Sequence, residues 1–182
     1  MHRQMYRWIR RGVLLATSYV PTARMVAILL VAAAACLLAA PLPVWTQTTY
    51  TWNYSDQGGA WNTSGNWNLS GFPNASTHIA QFNMALTADR TISLGQEITV
   101  NQILFSNTGT SYTLTIAPSG SLTLAGTNPT IQVANPSVPH PTLAISAVLA
   151  GSTNWSKTGS GTLVLSGTNT YTGTTTVSAG VL

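Results

Sequence analysis

The chain reads as an all-β protein whose strands stack in coils, a parallel β-helix, behind an N-terminal signal segment. Three observations carry this reading: composition, strand spacing and internal self-similarity. Ser, Thr, Gly and Asn make up about half of the stretch from Gln47 to Leu182, which holds only five charged side chains. Ser, Thr, Asn and Gly rank low in helix propensity. Thr, Val, Ile, Tyr and Trp favour strands, while Gly and Asn supply turns. Disorder is not expected, because it needs high charge and few β-branched or aromatic residues.

The 182 residues suffice for one domain plus a disposable segment. The formal charge of +4 and the pI near 9.6 belong to the N-terminus. Arg3, Arg7, Arg10, Arg11 and Arg24 precede the first long apolar run, whereas Arg90 and Lys157 face Asp56, Asp89 and Glu97 in the rest. Without a basic stripe, nucleic-acid binding by phosphate neutralisation has little to work with. Residues 1–46 read as a signal peptide: a basic region over 1–24, an apolar region over 25–40 (MVAILLVAAAACLLAA), then Pro41 and Pro43. The apolar run is short for a membrane span, although an uncleaved anchor reaching Trp45 is the alternative. Cleavage falls after Ala40 or before Gln47. Arg10-Arg11 fits the core of a twin-arginine signal but stands well ahead of the apolar run, and Cys36 lacks the surroundings of a lipoprotein site. Met25 is a second candidate start. The single Cys lies in this segment, so no disulfide and no redox chemistry is expected in the body.

Residues 47–111 are Trp-rich and are expected to form a cap and the first coils; residues 112–182 are expected to form regular coils. Strand-like runs fall at Tyr112–Ile116, Ser121–Ala125, Thr130–Val133, Thr142–Ser146, Thr162–Ser166 and Thr174–Ser178, at short and mostly even intervals and often alternating apolar with Thr or Ser. Such spacing fits a sandwich or barrel as well as a solenoid. Self-similarity favours the solenoid: SGSLTLAGTN at Ser119–Asn128 returns as SGTLVLSGTN at Ser160–Asn169, seven of ten identical at an offset of 41. WNTSG at Trp61–Gly65 is likewise echoed by WNLSG at Trp67–Gly71. With coils of about 20 residues, the offset is two coils. Leu122 and Leu124 would then point inward and stack on Leu163 and Leu165, with Gly and Asn at corners needing positive φ.

Lys157–Leu182 (KTGSGTLVLSGTNTYTGTTTVSAGVL) resembles the autotransporter-associated β-strand repeat of bacterial surface proteins. Lys157, Gly159, Gly161, Leu163, Leu165, Gly167, Asn169, Tyr171, Thr172, Gly173, Thr175, Val177, Gly180 and Leu182 occupy its signature positions. Thr174 stands where a second Gly is common. Upstream, Trp52, Gly59-Ala60-Trp61, Asn66-Trp67, Pro73 and Phe82-Asn83 look like the opening of such proteins, with His78 near where the family often carries Asp. The resemblance implies a right-handed parallel β-helix exported to the cell surface or beyond, with a structural, secretion-promoting repeat and no catalytic residues. It also implies further coils beyond Leu182 and a membrane barrel of alternating strands. This chain is therefore expected to be a piece of a longer passenger or to have its anchor elsewhere.

Glycan-cleaving chemistry needs clustered carboxylates, and the body has three dispersed acids. Asp89-Arg90 reads as a local ion pair or turn. His78 and His140 alone make no metal site, and no nucleophile elbow or phosphate-binding Gly-rich turn occurs. The expectation is a non-catalytic chain without cofactors. One constellation has binding potential: Trp52, Tyr54, Trp61 and Trp67, with Phe72, are candidate rings for stacking on sugars, and nearby Asn would bond hydroxyls. The alternative is that they plug the open end of the solenoid, since solenoid ends need caps. Trp155 and Tyr171 read as packing positions, and the Asn-x-Ser triplets at Asn53, Asn62, Asn68, Asn74 and Asn154 as chance in so Ser/Asn-rich a sequence. The expected partners are export machinery, through the signal segment, and surface glycans. The mature part is expected not to span a membrane within this chain.

Overall fold

A computed structural model describes residues 46–134 and 141–182. The expected signal segment, apart from Thr46, lies outside the described residues, as do Cys36 and His140. Among the described residues thirteen strands follow in order: β1 (Thr48–Thr51), β2 (Gly59–Ala60), β3 (Ala75–Met84), β4 (Arg90–Ser93), β5 (Ile98–Asn107), β6 (Thr113–Ala117), β7 (Ser121–Leu124), β8 (Thr130–Ala134), β9 (Thr142–Ile145), β10 (Val148–Ala150), β11 (Trp155–Thr158), β12 (Thr162–Leu165) and β13 (Thr175–Val177). Among the described residues the only helical piece is a 3-10 turn at Ser64–Asn66.

Every named strand pairing is parallel, and the pairings run along three lines. The first joins β2, β4, β6, β9 and β12. The second joins the starts of β3 and β5 with β7 and β10. The third joins β1, the ends of β3 and β5, then β8, β11 and β13. The chain visits these lines in turn, so each circuit lays one coil on the last: a parallel β-helix. Parallel crossovers between right-twisted strands are right-handed in nearly all cases.

β3 and β5 each turn a corner without a break in the chain. In β5, Ile98–Val100 pair with β7 and Gln102–Ser106 with β8. The inward–outward alternation slips at the join, where Val100 and Asn101 are consecutive buried residues. Asn101 satisfies its amide there: Nδ2 donates to Ala125 O (2.9 Å) and Thr127 O (3.0 Å), and Oδ1 accepts from Gln47. Inward columns make the core. Ile92, Ile116, Ile145 and Leu165 share one; Ile98, Leu122 and Leu149 another; Phe82, Phe105 and Val133 a third. Burying a large apolar side chain stabilises by roughly 1.5–3 kcal/mol, so regular stacking holds a chain with few charges together.

All six expected strand runs are present, within a residue or two at their ends. The two-coil reading of the repeat is not. Leu122 lies on the second line, between Ile98 and Leu149, whereas Leu163 lies on the first, against Leu143. The repeated decapeptide is thus a strand-and-turn unit used on two different sides of the helix. The reason is that the coils differ in length. On the first line Arg90 pairs with Leu114, Leu114 with Leu143 and Leu143 with Leu163, so the middle circuit is the longest of the three and the last the shortest. Leu122, Leu124 and Leu163 do point inward, while Leu165 is half-buried. Positive φ at corners falls to glycine; Asn128 (φ 50°) is the only other described residue that adopts it.

Candidate functional site

The aromatic group sits in the first coil. Trp52 follows β1, Trp61 follows β2 and Trp67 follows the 3-10 turn. They are 3%, 0% and 3% exposed. Trp52 meets Trp67 edge-on at 5.1 Å between ring centroids, Trp61 meets Trp67 at 5.2 Å, and Phe82 lies 5.4 to 5.8 Å from all three. Such tilted contacts suit the quadrupoles of aromatic rings. Each indole N–H donates to a backbone oxygen: Trp52 to Gln57 (3.1 Å), Trp61 to Pro73 (2.9 Å) and Trp67 to Trp61 (2.7 Å). The three indoles thus meet edge to face and are buried among themselves and Phe82. Tyr54, 37% exposed and edge-on to Trp52, is the member of the group left at the surface, and Phe72 packs partly buried against the core.

The same segment covers a strand edge. Asn68 N–H donates to Thr51 O (2.9 Å) and Asn53 N–H to Asn66 O (2.9 Å), while Thr51 N–H donates to Asn68 Oδ1 (2.8 Å). Residues 66–68 therefore run antiparallel along the side of β1 away from β3.

The signature positions at the other end are spent on coil stacking. A Cβ on Gly159, Gly167, Gly173 or Gly180 would run into a backbone carbonyl of the preceding coil: Val133, Ala147, Thr153 and Gly161 respectively. Gly159 and Gly180 also have φ of +75° and +73°. Gly161 N–H donates to Val133 O (2.9 Å). Leu163 is buried in β12, and Leu165 packs against the core from its margin. Asn169 Oδ1 accepts from Leu149 N–H (2.9 Å). Tyr171 packs edge-on against Trp155 at 5.8 Å. Val177 and Leu182 are about half exposed.

Lys157, in β11, is fully buried. Its column neighbours are Ile131 before it and Val177 after it. Its Nζ donates to four backbone oxygens: Gly159 (2.7 Å), Gly161 (2.7 Å), Thr158 (3.0 Å) and Ala179 (3.0 Å). Burial pushes the ammonium pKa below the ordinary lysine value.

Arg90, Asp56 and Asp89 pin loops. Arg90 pairs with Asp56 (3.0 Å), not with its neighbour Asp89 as the sequence suggests, and its Nε donates to Asp56 O (2.8 Å). The Asp56 carboxylate also accepts from the Thr87 hydroxyl and amide, and these bonds, then Arg90, hold it below the usual carboxylate range. Asp89 instead accepts from Thr113 N–H (2.8 Å) on the next coil. The two carboxylates are thus committed to separate loops. Asn107, which no sequence pattern singles out, accepts at Oδ1 from Leu86 N–H (3.0 Å) and Gly109 N–H (2.9 Å) and donates to Thr110 O (2.9 Å). His78 Nδ1 accepts from Asn74 N–H (3.0 Å), and its ring lies 4.8 Å from that of Tyr50.

Residues 156–182 match the model of the passenger-associated-transport-repeat. The stretch is thus similar to a repeat of passenger regions. The chain is also similar to the adhesin BmaC autotransporter of Brucella suis biovar 1 (strain 1330), 37% identical over 131 residues, which is 68% of this chain. It spans 4% of that relative's length. No solved structure matches it. The matched stretch contains Lys157 and these glycines, so much of its signature maps onto corners and core of the last described coils.

Proposed function

We propose that this chain is a non-catalytic, exported segment of an autotransporter passenger at the bacterial surface, in which the repeat promotes secretion by folding readily into stacked coils. The observation supporting it is the use made of the repeat's residues. Its glycines admit the carbonyls of the preceding coil, its Leu163 packs inward and the side chain of its Asn169 accepts from the preceding coil. A segment so committed to coil stacking favours a structural role over chemistry. The export machinery, met through the signal segment, is the partner this reading requires. Deleting residues 156–182 from the full-length passenger is expected to lower several-fold the amount reaching the surface, measured by protease accessibility on intact cells, at equal synthesis. An unchanged surface amount would reject the secretion role.

The relative's name supports a second reading, an adhesive module, for which we propose surface glycans as the ligand. Burial of Trp52, Trp61 and Trp67 argues for their acting as the plug, with Tyr54 the exposed ring available for sugar stacking. Trp61→Ala is expected to cost roughly 3–5 kcal/mol of stability and to leave binding on a glycan array unchanged. Lost binding at unchanged stability would restore the cluster as a sugar site.

A further inference from the structure

We propose that Lys157 is a latch between successive coils: its ammonium is the ion around which one corner of the β-helix closes, and closure is complete only when the chain has travelled one further coil and supplied the carbonyl of Ala179. This goes beyond the secretion reading and does not depend on it.

In β11 the alternation that buries Trp155 also buries the residue two further on. Lys157 thus enters a column whose flanking members are Ile131 and Val177. A buried charge is costly unless compensated, and no carboxylate appears among its partners. The compensation is backbone dipoles. Thr158, Gly159 and Gly161 form the corner that leads from β11 to β12, and their carbonyls converge on Nζ. Ala179 stands in the corresponding corner one coil later, after β13. Three N–H donors thus face four acceptors, and one of the four comes from 22 residues downstream.

The surrounding geometry fits a latch. Ser178 N–H donates to Lys157 O (2.9 Å) and Val181 N–H to Gly161 O (3.2 Å), so the two corners lie one on the other. A Cβ on Gly180 would stand 2.5 Å from Nζ and would also strike Gly159 O. The later corner therefore needs glycine where it passes the ammonium. Without Ala179, the first corner would hold a desolvated ammonium with three carbonyls and an open side. With it, the cage shuts.

The sequence offers a direct test, because Lys157 is the chain's only lysine. Acylation of the full chain by an amine-reactive ester, read by mass spectrometry on the peptide holding residue 157, reports how often the latch opens. Folding should slow the reaction at Lys157 on the order of 100-fold relative to the urea-unfolded chain, as for a group exposed only by local opening. Ending the chain after Ser178, or Gly180→Ala, should each raise that rate about 10-fold, a change of about 1.4 kcal/mol in opening. In a parallel arm, Lys157→Met should speed hydrogen exchange at the amides of Gly161, Leu163 and Val181 by a similar factor while those of β3 and β5 keep their protection. The proposal is overturned if Lys157 in the folded chain reacts within a few-fold of the unfolded rate. It is equally overturned if removal of residues 179–182 leaves the rate unchanged, or if Lys157→Met folds with its exchange pattern intact. Should Lys157→Met fail to fold, the acylation arm decides, since it needs no substitution at that position.

Discussion

A single proton is expected to unsettle the N-terminal coils at His78. Its Nδ1 accepts from the backbone of Asn74, which only an imidazole without a proton on that nitrogen can do. Burial also lowers its pKa below the usual 6.5. As pH falls, the unfolded chain therefore takes up this proton before the folded one does. Stability from His78 is complete above about pH 6.5 and is lost as pH drops through the depressed folded value. Urea midpoints measured between pH 7.5 and 5 should decline towards acid. His78→Asn, which keeps an acceptor near the Asn74 amide, should flatten the decline. An equal decline in that variant would place the titration elsewhere. Asp56 belongs to a lower window: held below the ordinary carboxylate range by Thr87 and Arg90, it contributes stability that is lost only at more acidic pH.

At the scale of elements, the first edge strand is the weak point that the aromatic segment protects. An uncovered edge offers unpaired N–H and C=O groups to another chain, and residues 66–68 occupy that edge of β1. Asn68→Pro removes both the donor to Thr51 O and the side-chain acceptor for Thr51 N–H. Light scattering should show it associating at concentrations where the parent chain does not; equal scattering would mean that the plug alone shields the edge. How far these elements are legible in the sequence depends on what their residues do. Runs such as YTLTI and TLAIS announce themselves because one face is buried and the other is Thr-rich. β10 and β11 do not: the first is too short to show an alternation, and a lysine at an inward position disguises WSKT. Yet Trp155 and Lys157 are two apart, so the period-2 pattern does carry the lysine inward. The decapeptide repeat misleads about stacking because a strand-and-turn unit is local, whereas which side of the coil it lands on depends on every residue between. The aromatic cluster is visible as a cluster; its burial depends on Phe82 and on the turn at Ser64–Asn66, neither of which composition reveals. Arg90 likewise finds its partner 34 residues away rather than next door.

For the whole molecule, a solenoid's stability approximates a sum over coils and their interfaces, with no contact between distant coils. Opening should then follow local resources, and these differ along the chain. The early coils hold β3 and β5, each ten residues long and paired with one another over most of their length, around the Trp52, Trp61, Trp67 and Phe82 cluster. The last coil holds β13, three residues long and paired with β11, with Val164, Val177, Val181 and Leu182 between 42% and 53% exposed. Little apolar burial opposes its opening beyond the corner at Lys157. Hydrogen exchange should accordingly show a gradient, slowest at the amides of Phe82 and Phe105 and faster at Thr175–Val177 by a factor on the order of 100 or more. Such a gradient would mean that the coils open from the β13 side, one interface at a time. Equal protection at both ends would mean that the coils unfold as one cooperative unit, and the one-dimensional picture would fail for this chain.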